Sequence, residues 1–542
     1  MKKIFLSLMI MAAALSAGAA EPRSEISTAD ARATIAQGQI AGYSENGVYI
    51  YKGIPYAKAS RFMAPEKPDA WQGVRSCRNY GPTCPQDKRQ GWQNDEIAFA
   101  FNWDDGYPGE DCLRANVWTP AKTADGRKRP VMVWLHGGGF SAGSGQELPG
   151  YDGANLARKG DVVVVTVNHR LNVLGFLDLS DFGEEYASSG NAGLLDLVAA
   201  LEWVRDNAEA FGGDPANVTI FGQSGGGGKV SVLCATPAAK GLFHKAIVQS
   251  GSTLSTMTAD MSRRIGRETV RQLGLENDIK KIADVPYEQL LAAGNAAVAA
   301  VRKQAEAEGG IGGAFIFGWA PTVDGKVLPR QPFAEGAPVQ SRDIPMMIGT
   351  TRCEFSATTY VPMLRNADMA MARNFIISRY GSQPADKIID AFGKAYPGYQ
   401  PKDLIDIDFT FRPTAVRQAD IKTAQGGAPV YMYLFTWESP VLDGALRSTH
   451  CMEIPFVFNN AKIHASMTGG GSQADVLADR MSDAWLAFAR TGNPNTASLP
   501  QWPAYTTERR QTMFFDNECS VHENHDRELL DLMSTISSPK SF

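Results

Sequence analysis

The chain has 542 residues, of which 44% are hydrophobic and 20% charged, and a formal net charge of -5. That balance excludes wholesale disorder. With no clustered basic patch, it also excludes a protein that grips nucleic acid by neutralising phosphates. The amino terminus, "MKKIFLSLMIMAAALSAGAA", runs from Lys2 and Lys3 through an apolar stretch to small residues, the pattern of a cleaved secretory signal over residues 1–20. Its apolar run is shorter than the ~20 residues a membrane span needs. The expected product is a soluble, secreted or periplasmic protein. No Pro/Ser/Gly linker or charge run divides residues 21–542, which read as a single domain. Export permits disulfides, and there are seven cysteines, Cys77, Cys84, Cys112, Cys234, Cys353, Cys451 and Cys519, an odd number that leaves at least one thiol free.

Residues 85–111 form a long segment rich in aromatics (Trp92, Phe99, Phe101, Trp103), of a length that shapes or covers a site. Apolar runs then predict buried strands at 131–135, 162–167, 218–221, 246–249, 344–348 and 430–437. Between them, residues 191–213 place Leu194, Leu197, Val198, Leu201, Val204, Ala208 and Phe211 on one helical face, closed by Gly212. Residues 259–312 read as added helices. Strands alternating with helices predict an α/β fold with a mostly parallel central sheet covered on both faces, and a site beyond the carboxyl ends of its strands.

Two glycine-rich stretches sit at such ends. His136-Gly137-Gly138-Gly139-Phe140 follows the first of these strands, and Gly222-Gln223-Ser224-Gly225-Gly226 follows the third. The latter fits Gly-x-Ser-x-Gly, in which small neighbours let a strand reverse sharply into a helix and expose the serine. Ser250 is a rival, but Val248 stands where the first glycine belongs. Backbone N–H groups from the upstream glycines, with that of Gly225, can hold a developing oxyanion. A serine hydroxyl needs a histidine base oriented by a carboxylate, in the chain order serine, acid, histidine. Glu354, after the strand at 344–348, is the candidate acid, and His450, in "HCMEIPFVF", the candidate base. His522 and His525 lie three apart in a polar tail, which reads as a solvated face rather than a metal site. Lys229, a cation opposing the dipole at the start of the helix after Ser224, is expected to point to solvent.

Motifs along nearly the whole chain, among them "YKGIPYAKASRF", "GEDCLRANVW", "WLHGGGF", "VNHRLNVLGFL", "VTIFGQSGG", "GLFHKAIVQSGS" and "ARTGNPN", resemble type B carboxylesterases, the cholinesterase-like branch of the α/β-hydrolases. The resemblance implies a serine carboxylesterase acting on small-molecule esters without a cofactor. Ser224, Glu354 and His450 would be its triad, and Gly138, Gly139 and Gly225 its oxyanion hole. It also implies a Cys84–Cys112 disulfide and structural ion pairs Arg61–Glu110 and Arg170–Asp196. Two departures stand out. Gln223-Ser224-Gly225 replaces Glu-Ser-Ala, and Phe355 follows Glu354 where the family has glycine. Cys353 and Cys451 flank the acid and base and raise the further expectation of a bracing disulfide, with two buried free thiols as the alternative. A catalytically inactive binding protein, or a lipase or amidase using the same machinery, are the competing functions.

Overall fold

The computed structural model describes residues 26–87, 95–121, 125–308 and 318–536; residues 1–20 and Trp92 lie outside them. Its framework is a 12-stranded sheet. Ile26–Ser27, Tyr43–Glu45, Val48–Pro55 and Arg114–Thr119 pair antiparallel in turn, and Arg114–Thr119 pairs antiparallel with Val163–Val167. From there Val163–Val167, Arg129–Leu135, Gly213–Gln223, Lys245–Gln249, Met346–Thr351, Val430–Phe435 and Thr512–Phe515 lie parallel, in that spatial order, and Ser520–His522 closes the far edge antiparallel. All six strands expected from the sequence are present, with ends shifted by a few residues.

The parallel strands are apolar on both sides because both sides are covered. Val131, Val133, Leu135, Val218, Ile220 and Val248 join one core, with Leu194, Leu197, Leu201 and Val204 of the helix Ala192–Asn207. Met132, Trp134, Phe221, Ile247 and Tyr433 join the other, with Trp485 and Phe488 of the helix Ser472–Thr491. Alternate residues of each strand therefore serve opposite cores, at roughly 1.5–3 kcal/mol for each large side chain fully buried. The helix Ala192–Asn207 passes into a 3-10 turn, Ala208–Phe211, and Gly212 ends it with φ 72°. Asp196, inside this helix, takes a two-point contact from the buried Arg170 guanidinium at 2.8 and 2.6 Å.

The described parts of the segments expected as additions contain helices. Ala259–Leu273 and Tyr287–Ala307 are the added helices. The aromatic segment contains a short helix, Asp95–Phe101, rather than loop throughout. Phe101 stacks on Trp103 at 4.7 Å. His464 Nε2, 3.1 Å from Ala100 O and 3.2 Å from Phe101 O, ties this helix to the chain beyond His450. Among the described residues, no helix is long and apolar enough to cross a membrane.

Candidate active site

The strand Gly213–Gln223 ends against the helix Gly225–Ala235, and Ser224 between them has φ 57° and ψ -126°. A non-glycine residue held there costs of order 1–3 kcal/mol, so its surroundings must impose it. They do so through the backbone. Ser224 N–H donates to Gln249 O at 2.8 Å, and Ser224 O accepts from Gly228 N–H at 3.0 Å. The Ser224 side chain does not cap the helix, and the residue is partly exposed.

The glycine run after Ser224 is explained by what each missing side chain would meet. A Cβ on Gly225 would collide with the N, Cα and O of Gly139, and one on Gly226 with Leu135 O. On Gly227 it would lie 2.9 Å from Gly251 Cα, and on Gly228 3.0 Å from Thr253 Oγ1. The helix is thus pressed onto the loop after Arg129–Leu135 and onto the loop after Lys245–Gln249. This closeness accounts for the departure at residue 225, since no alanine fits against Gly139. In the facing loop Gly138 and Gly139 have φ of 81° and 63°. Among the described residues, the N–H groups of Gly138, Gly139 and Gly225 donate no hydrogen bond.

Glu354 and His450 meet across neighbouring loops. His450 N–H donates to Glu354 O at 2.8 Å, and His450 Nδ1 lies 2.5 Å from Glu354 Oε2. Glu354 Oε1 accepts from Ser250 Oγ at 2.6 Å and from Thr351 N–H at 2.9 Å. The two donors on Oε1 favour an ionised Glu354, and burial opposes them. With the shared proton on Nδ1, the Nε2 lone pair would face Gln223. Burial pushes Glu354 up and His450 down; the Ser250 and Thr351 donors pull Glu354 back. Burial therefore favours the neutral imidazole at His450. Gln223, the residue before Ser224, places its amide nitrogen 3.3 Å from His450 Nε2 and accepts from the Cys451 thiol at 3.0 Å. The His450 ring packs 4.5 Å from that of Phe355 and 4.8 Å from that of Phe411. Phe355, directly after Glu354, thus forms a wall against the His450 ring. Ser224, Ser250, Glu354 and Cys451 all have positive φ, so backbone strain gathers where these loops converge.

Several expectations are corrected. Lys229 does not reach solvent: it is fully buried, and its Nζ donates to His136 O at 2.7 Å and to Gly139 O at 3.0 Å. Its own helix dipole disfavours a cation there, but the carbonyls of the facing loop outweigh it. Cys353 and Cys451 are free thiols with separate partners, Ser448 and Gln223, and form no bracing bond. Cys84 and Cys112, expected as a pair, are both buried and carry no disulfide in this structure; the neighbouring Cys84 thiol, with burial, holds Cys112 well above its ordinary pKa. The sequence reading missed Ser250 as a donor to the acid. It also missed Glu453, fully buried, which accepts from Gln249 Nε2 at 3.2 Å and is pushed by burial up to about 7. No local sequence signal marks either residue; Ser250 reaches Glu354 because Gln249 pairs with Gly349 across the sheet.

Comparison with known proteins converges on one group. The carboxylesterase family profile matches residues 29–532. The para-nitrobenzyl esterase of Bacillus subtilis (strain 168) is 38% identical over 509 residues, 91% of this chain and 96% of that one. Phenmedipham hydrolase of Pseudarthrobacter oxydans is 34% identical over 484 residues, 87% and 92% of the two chains. Among solved structures, an esterase of Clostridium hathewayi that can hydrolyse aliphatic aromatic polyesters superimposes with a TM-score of 0.84 at 40% identity, covering 95% of this chain and all of that one. A para-nitrobenzyl esterase structure superimposes with a TM-score of 0.74 at 36% identity, covering 93% and 99%. With a largely parallel sheet covered on both faces, and relatives of this kind over nearly its whole length, the chain belongs to the carboxylesterase family, carboxylic ester hydrolases of the α/β-hydrolase fold.

Proposed function

We propose that the protein is an exported serine esterase that works through an acyl-enzyme. Ser224 Oγ attacks the ester carbonyl while His450 Nε2 takes its proton, and Glu354 stabilises the resulting imidazolium through Nδ1–H. The carbonyl oxygen, now an anion, is received by the N–H groups of Gly138, Gly139 and Gly225. His450 then protonates the leaving alkoxide, which departs as the alcohol. Water repeats the sequence: His450 removes its proton, its oxygen attacks the acyl carbon, and Ser224 leaves with the proton returned. The observation that carries this reading is the position of His450, 2.5 Å from the Glu354 carboxylate on one side and 3.3 Å from the elbow residue Gln223 on the other. Against an inactive binding protein stands the presence of all three residues, Ser224, Glu354 and His450, with the last two in contact.

The substrates proposed are small esters with an apolar or aromatic group. Phe355 supports this: it is 41% exposed, and its ring lies against the base. Ser224→Ala should abolish hydrolysis of para-nitrophenyl acetate in a folded protein, and a fluorophosphonate should label the parent at Ser224 alone. Turnover by Ser224→Ala would reject the assignment. For export, we propose that residues 1–20 are removed and that Cys84 and Cys112 then join, giving two electrons and two protons to an oxidant of that compartment. Intact mass of the exported protein should show the shortened chain, and peptide mapping should show the bridge. A full-length chain with both thiols alkylatable would reject both parts.

A further inference from the structure

Lys229 is the feature that the mechanism above leaves unused. Its ammonium is buried completely at the fifth position of the helix Gly225–Ala235, near the end where the dipole opposes a cation, and desolvation is costly. Something must hold it there, and that something is the oxyanion loop. Its two short hydrogen bonds, to His136 O at 2.7 Å and Gly139 O at 3.0 Å, flank the glycines, and Gly137 O lies at 3.5 Å. Phe140 places its ring 5.6 Å away on the same side. The intervening carbonyls are held as well: Gly137 O by His136 Nδ1 at 2.9 Å, and Gly138 O by Ala142 N–H at 3.0 Å.

A trans peptide points its C=O and its N–H in opposite directions. Holding the carbonyls of Gly137 and Gly138 therefore aims the N–H groups of Gly138 and Gly139 the other way, toward the hole. We propose that Lys229 is a positioning residue for ester hydrolysis: by holding His136 O and Gly139 O it pins both ends of the segment whose two inner peptides carry the Gly138 and Gly139 N–H groups, so that the inner carbonyls stay on His136 Nδ1 and Ala142 N–H and those N–H groups keep one direction. It touches neither substrate nor reacting atoms. The inference rests on Ser224 being the nucleophile and on the hole assigned above.

The test separates a clamp from mere stability. In Lys229→Met, kcat for para-nitrophenyl acetate should fall about 100-fold with KM within about threefold, the signature of a lost transition-state interaction. The inhibition constant of an aryl trifluoromethyl ketone, which forms a tetrahedral adduct with its oxygen in the hole, should rise by a similar factor. Lys422→Met serves as the control. Lys422 is another buried lysine, donating to Arg342 O and Gln425 Oε1, each at 3.0 Å. It should lose thermal stability while keeping kcat and the ketone affinity. If Lys229→Met does not fold, Lys229→Gln, a neutral donor, gives the same comparison. A folded variant with kcat and ketone affinity within about threefold of the parent would overturn the inference, as would equal losses in Lys422→Met. Activity retained by Ser224→Ala would instead overturn the reading on which the inference rests.

Discussion

The two halves of the site are made of different material. The nucleophile half is backbone: a strained serine, a loop of consecutive glycines and a helix of glycines packed so closely that Gly225 and Gly139 leave no room for a methyl group. The acid–base half is side chain: Glu354, His450, Ser250 and Gln223 hydrogen-bonded in a chain, with Phe355 and Phe411 against the imidazole. The contrast teaches that the two halves fail differently. A side chain can be exchanged one group at a time, whereas a backbone donor is lost only by moving the chain that carries it.

Substitutions can break this contrast at either end. Glu354→Gln keeps the shape of the acid but favours the wrong imidazole tautomer, and kcat should fall by about 10⁴-fold with the fold intact; steady-state kinetics beside a thermal melt checks this. Gly225→Ala, although it restores the residue usual in the family, should push Gly139 away and lower kcat about 100-fold, with KM nearly unchanged. If the alanine is harmless, the close approach of the two backbones is not what the hole requires. A pH profile sharpens the comparison further. Burial lowers His450, so the imidazole stays unprotonated as pH falls through 6.5, and the acid limb of kcat/KM should lie below that value. Gly225→Ala should share this limb, since only the side-chain half titrates; a limb above 6.5 would show that the Glu354 charge outweighs burial.

Much of the nucleophile half is legible in the sequence, because a run of glycines directly after a strand marks a place where backbones must turn and approach closely, and all six expected strands lie in the sheet. Glu354 and His450 are legible mainly through chain order. The rest depends on tertiary neighbours that local rules do not see. Ser250 can be weighed as a nucleophile and set aside on Val248, yet the pairing of Gln249 with Gly349 makes it a partner of Glu354. Lys229 looks like a surface cation because its own helix offers it nothing, while its partners lie some ninety residues earlier in the chain. Cys353 and Cys451 sit beside residues that do touch, but their own side chains turn to Ser448 and Gln223.

The order in which the strands are laid down has a consequence during synthesis. The elbow, both glycine loops and the acid precede the strand Val430–Phe435, and the base comes only after it. On the proposed mechanism, a nascent polypeptide halted before that strand carries Ser224 without His450 to deprotonate it. Hydrolytic competence would then arrive late in translation, and truncated products should be inert toward esters.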